Sequence, residues 1–181
     1  TLSSRSSLFI RYKIESTEKN ETENSEPTPA VYSCNKQEIK VQFDAKISSN
    51  CSIKSGINTN EVSVHNQKET CGLLLYQDFT YQITKMHVTL NMRYAFFDAQ
   101  DYNNRLYAFE TDVLYAYSVP MYYGQGSRYY LNVCYAPTKN LNFYLKLAET
   151  IYSNKDEIGT GLETIEGNKK TDMRLFVSWK F

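Results

Sequence analysis

Asp172-Met173-Arg174-Leu175-Phe176-Val177-Ser178-Trp179-Lys180-Phe181, read in steps of two, separates into two different surfaces. Met173, Leu175, Val177, Trp179 and Phe181 fall on one side, and Asp172, Arg174, Phe176, Ser178 and Lys180 on the other. Successive side chains of a β-strand point to opposite faces, so the segment predicts a strand with one oily face. A soluble protein rarely leaves an apolar strand at a fraying, aggregation-prone edge. In an outer-membrane β-barrel the last strand closes against the first, the apolar face meets lipid, and aromatics such as Trp179 and Phe181 sit at the membrane interface. A strand packed inside a soluble sandwich has the same pattern, so this segment alone leaves both readings open.

The same alternation recurs upstream. Leu8, Ile10, Tyr12 and Ile14 oppose Arg11, Lys13 and Glu15; Ile39, Val41, Phe43, Ala45 and Ile47 oppose Lys40, Asp44 and Lys46. A weaker segment sets Cys51, Ile53 and Ile57 against Ser52 and Lys54, with a bulge expected before Val62 and Val64. Leu73, Leu75, Phe79, Tyr81 and Ile83 oppose Tyr76 and Asp78. The clearest segment sets Met86, Val88, Leu90, Met92, Tyr94 and Phe96 against His87, Asn91 and Arg93. Tyr129 to Tyr135 and Leu141 to Leu147, the latter with Lys146 on its polar side, precede the terminal strand. Several segments reach about ten residues, which a tilted strand needs to cross a bilayer; soluble strands average about five or six.

Connections alternate in length. Short polar links fall at Ser48 to Asn50, around Thr84-Lys85, and at Pro137 to Asn140, each a tight hairpin. Long polar links fall at about 16–35, 58–70, 98–127 and 153–170. Short turns on one rim and long loops on the other are the arrangement of bacterial outer-membrane barrels. The sequence therefore predicts a single all-β domain over 1–181. It would be an antiparallel up-and-down transmembrane β-barrel of about eight strands, or the C-terminal part of a larger barrel. The count is even only if Arg105 to Gly126 makes no crossing, or makes two. In the first case the Tyr-rich stretch lies outside or folds back over the mouth.

Composition removes other classes. No run of about 18 apolar residues occurs, so no transmembrane helix is predicted, while a mean hydropathy of −0.53 fits a barrel whose lipid-facing and lumen-facing residues alternate. Aromatics make up 14% of the chain, against disorder. Basic and acidic residues balance at 20 each with no basic cluster, so no nucleic-acid partner is expected. The sequence opens at Thr1 without a signal peptide, which is expected either to have been removed or to lie outside it.

One half of the chain carries a resemblance. Arg93-Tyr94-Ala95-Phe96-Phe97-Asp98, Asp112-Val113-Leu114-Tyr115-Ala116-Tyr117-Ser118-Val119-Pro120, Gly124-Gln125-Gly126-Ser127-Arg128-Tyr129-Tyr130, and Ile158-Gly159-Thr160-Gly161 with Gly167-Asn168 and the aromatic terminus stand in that order. Together they resemble the C-terminal barrel region of Bacteroidetes-type outer-membrane proteins that carry an N-terminal helix-hairpin-helix region. The resemblance implies a Gram-negative outer membrane and a barrel continuing ahead of Thr1. It supplies no activity, and no helix-hairpin-helix residues are present to bring DNA contact.

Candidate functional residues follow from the faces. Met92, Leu90, Val88, Phe143, Leu145, Val177 and Leu175 are expected against lipid. Lys40, Asp44, Lys46, Asp78, Asn91, Arg93, Lys146 and Arg174 are expected toward the lumen, either as a self-neutralising filling or as the lining of a porin-like passage. Cys34, Cys51, Cys71 and Cys134 lack zinc-site spacing, and Cys34 with Cys71 is the expected disulfide in an oxidising compartment. His65 and His87 stand alone, Gly124 to Ser127 reads as a turn, and the Glu15 to Glu26 run has no calcium-loop spacing. No enzyme activity, cofactor or metal is expected. The expected partners are the lipid bilayer and a small solute or surface protein, met at the cell surface by the Tyr102 to Tyr130 segment, whose tyrosines serve equally well as girdle and plug. The alternative class is a secreted soluble β-barrel or β-sandwich acting as a ligand-binding module, with Asn20-Glu21-Thr22 and Asn50-Cys51-Ser52 as nominal glycosylation triplets.

Overall fold

Each alternating segment is extended in the computed structural model, which describes residues 5–20, 31–64, 68–99 and 101–181. The strands in chain order are β1 (Ser6–Asn20), β2 (Val31–Lys46), β3 (Cys51–Val64), β4 (Thr70–Ile83), β5 (Val88–Ala99), β6 (Leu106–Tyr107), β7 (Met121–Tyr122), β8 (Gly124–Tyr135), β9 (Leu141–Tyr152), β10 (Glu157–Ile158), β11 (Ile165–Glu166) and β12 (Lys169–Trp179). Eight of them form one antiparallel sheet in the order β1-β2-β3-β4-β5-β8-β9-β12, a meander in which every chain neighbour pairs. The all-β antiparallel arrangement is as the alternation predicts. Closure is not: β1 and β12 do not pair with each other, and each keeps one edge open among the described residues.

Several strands outrun their expected ends. β1 and β2 pair from Ser6↔Ala45 to Asn20↔Val31, so residues 16–20 and 31–35, half of the expected 16–35 loop, are ladder. β3 needs no bulge, because its register runs unbroken against β2 and β4 and simply turns Val62 and Val64 to the face opposite Ile57. Met86 and His87 belong to a turn, where His87 at φ 52° closes a 3₁₀ turn over Thr84–Met86. Gly124 to Ser127 opens β8 instead of turning; a Cβ on Gly126 would run into the Ile151 carbonyl, so glycine is what lets β9 approach there. His65 and residues 21–26 of the acidic run lie outside the described residues.

The two faces of the sheet invert the usual distribution. Ile10, Tyr94 and Leu175 are 64%, 58% and 67% exposed on the outer face, while Asn58, Arg93 and Lys146 on the inner face are 1%, 4% and 3% exposed. The sheet also curls. Arg5 and Ser7 line one cavity together with Tyr130 of β8, five strand intervals from β1; in a flat sheet that is about 24 Å.

The expected Cys34–Cys71 bridge is absent, and all four cysteines are free. Cys34 shares the inner face with Val64, whereas Cys71, paired with Glu61, points outward, with β3 between their strands. Two thiols two strands apart on opposite faces cannot meet the disulfide geometry.

Candidate functional site

Between β5 and β8 the chain leaves the sheet at Asp101 and returns at Tyr123 without crossing. It folds as a hairpin: Leu106 pairs with Tyr122, Tyr107 with Met121, and the Glu110 N–H donates to the Ser118 carbonyl at 2.9 Å. At its tip the Ala116 N–H donates to the Val113 carbonyl at 3.1 Å, and Tyr115 takes the left-handed φ of 64°.

This hairpin lies against the inner face. Leu106, Ala108 and Tyr122 pack with Leu74, Tyr76, Ala95 and Phe97, the last meeting Tyr122 and Tyr152 edge-on at 5.5 and 5.8 Å. These inner-face exceptions cluster toward the long-loop rim, where the hairpin covers them. Gly56 makes room here, since a Cβ at that position would strike the Tyr76 ring.

Below the apolar contact the attachment is ionic. Glu110 is fully buried; its Oε1 accepts from Arg128 Nε at 2.8 Å and Tyr122 Oη at 3.0 Å, and its Oε2 from Arg128 Nη2 and Lys146 Nζ, both at 3.1 Å. Asp112 Oδ2 accepts from Lys146 Nζ at 3.2 Å and Arg174 Nη1 at 2.6 Å. The Asn132 amide donates to the Asp112 carbonyl at 3.0 Å, and the Thr111 N–H donates to Tyr130 Oη at 3.2 Å. Burial favours the neutral acid at Glu110, but the hydrogen bonds and charges of Arg128 and Lys146 outweigh it and hold the carboxyl below its ordinary range. Burial and the neighbouring Glu110 carboxylate push the Tyr122 phenol upward. At the base, Lys36 Nζ donates to the carbonyls of Asn103 and Arg105 at 3.1 and 3.2 Å, and Asn60 donates to that of Asn104 at 2.9 Å.

The eight expected lumen-facing residues all share this inner face by register. They do not form one cluster. Arg93 and Asp78 make a bidentate pair, with Nη2–Oδ2 at 2.7 Å, beneath the Tyr76 ring 4.3 Å from the guanidinium carbon. Lys146 and Arg174 meet through Asp112. Asn91 accepts from Thr80 at 3.0 Å, and Asp44 lies 3.5 Å from Lys54. Lys40 and Lys46 have no ion pair among the described residues. Trp179 and Phe181 stand exposed, their rings edge-to-face at 5.7 Å.

The sequence reading missed Glu110, Asp112, Arg128, Tyr130 and Asn132. Their signal was indirect: two carboxylates inside an otherwise aromatic segment, and apolar Leu74 and Phe97 on faces that should have been polar. Among the described residues no group of His, Cys, Asp and Glu is placed to hold a metal ion, and no helix is long and apolar enough to cross a membrane. No family model matches the chain, and no curated protein or solved structure shows significant similarity to it. What the site offers is fixed charge that holds a docked hairpin against the inner face.

Proposed function

We propose that the chain forms part of the wall of an outer-membrane β-barrel, a non-enzymatic channel or surface scaffold narrowed by the 101–123 hairpin. The observation that carries this reading is the inversion of the faces. A sandwich would turn Ile10, Tyr94 and Leu175 inward, whereas here they are exposed and the charged residues are covered. A contiguous apolar band of this kind on a soluble chain would be an aggregation hazard. Polar groups within the band satisfy one another, as lipid requires: Ser55 Oγ donates to Gln77 Oε1 at 2.6 Å. The sequence resemblance to Bacteroidetes-type barrels supports the same location.

The barrel is wider than eight strands. A closed barrel of about eight strands has an interior just wide enough for side chains, and this sheet carries a whole hairpin on its inner face. β1 and β12 then pair with further strands instead of with each other. Extraction tests the location: the protein is expected in the membrane fraction, released by detergent alone, and a monodisperse detergent-free preparation refutes it. Ile10→Cys with Leu175→Cys tests the width. No intrachain cross-link is expected, and efficient bridging would mean an eight-stranded closure.

A further inference from the structure

The hairpin covers the inner face unevenly. Its carboxylates Glu110 and Asp112 go to Arg128, Lys146 and Arg174, so one inner-face cation on each of β8, β9 and β12 is matched there, with Lys170 at the rim end of β12 outside these pairs. To β2 and β3 the hairpin base presents main-chain carbonyls, at Lys36 and Asn60. The carboxylates of that half are already engaged, Glu15 with Lys13, Glu38 with Arg11 and Asp44 with Lys54. Lys36, Lys40 and Lys46 therefore line β2 from near the long-loop rim to the short-turn end, none in an ion pair among the described residues. Part of the balancing negative charge sits on the other side of the sheet, where Glu61, Asp98 and Glu149 face outward near the long-loop rim.

Space follows the same strand. A cavity of about 400 Å³ opens at the rim between the hairpin base and β1–β2, its charged lining Lys13, Glu15, Lys36, Glu38 and Arg105. A second, of about 460 Å³, lies beside Thr111 of the hairpin and is lined by Arg5, Asp44, Lys46, Lys54 and Asp78. Lys40 stands on the same face of β2 between the residues that line the two.

We infer that solutes cross along β2, between the hairpin and strands β1–β3, and that this path prefers anions, with Lys40 at its midpoint. The inference rests on the barrel reading above. Positive side chains along a water-filled path beside a low-dielectric wall concentrate anions and repel cations. Because the chain is neutral overall, the preference arises from where charges sit and not from how many there are.

The test is the reversal potential of the full-length protein in a planar bilayer under a potassium chloride gradient. It is expected on the chloride side. Lys40→Glu together with Lys46→Glu should shift it toward potassium, and Lys139→Glu, in the exposed short turn, should leave it unchanged. Inserted protein that conducts without preference, or prefers potassium, overturns the anion path and leaves the barrel standing. Inserted protein that conducts nothing overturns the path together with its preference. Failure to insert strikes the barrel reading and the path with it.

Discussion

Glu110 shows how much can hang on one side chain. Removing one partner of a buried ion pair costs about 3–5 kcal/mol, because the other charges stay buried without compensation. Glu110→Ala should therefore release the hairpin while leaving the sheet paired, read as lost amide-exchange protection across 104–122 with protection retained in β4 and β9. The pH dependence has a definite sign. The Glu110 carboxyl is held below its ordinary value of 4.5, so its contribution to docking is complete above that value and is lost as the pH falls through the lower folded-state value. Acidification should open the hairpin, and changes around neutrality should not. Cysteine positions make a second test: mass spectrometry of unreduced peptides should find four free thiols, and Cys71, exposed on the outer face, should react with a thiol reagent well before buried Cys34.

The elements read most directly from sequence are the strands. Alternation of one residue type against another is a local property, so β5, β9 and β12 and the short turns between neighbours were legible within a few residues. Strand ends were not, because polar rim residues such as Asn35, Glu61 and Thr17 continue a ladder that hydropathy no longer marks. The hairpin was legible only as a segment that crosses either not at all or twice. Where it docks depends on pairing across the sheet, Glu110 to Arg128 and Lys146, which no local pattern encodes. Orientation can be tested within β5 alone, where Leu90 faces outward beside inward-facing Asn91. Leu90→Arg should destabilise the protein in vesicles by about 2–4 kcal/mol in urea unfolding, and Asn91→Arg by much less; equal costs would contradict the assignment of faces.

At the scale of the molecule, the hairpin runs across the sheet. Its base is tied by Lys36 on β2 and Asn60 on β3, and its tip by Lys146 on β9 and Arg174 on β12, with Tyr115 edge-on to Phe176 at 5.9 Å. A bar fixed near both ends of an arc sets the radius of that arc. The hairpin is thus a brace: cutting it at the tip would let the eight strands flatten, and in the proposed barrel the circumference would lose its set size.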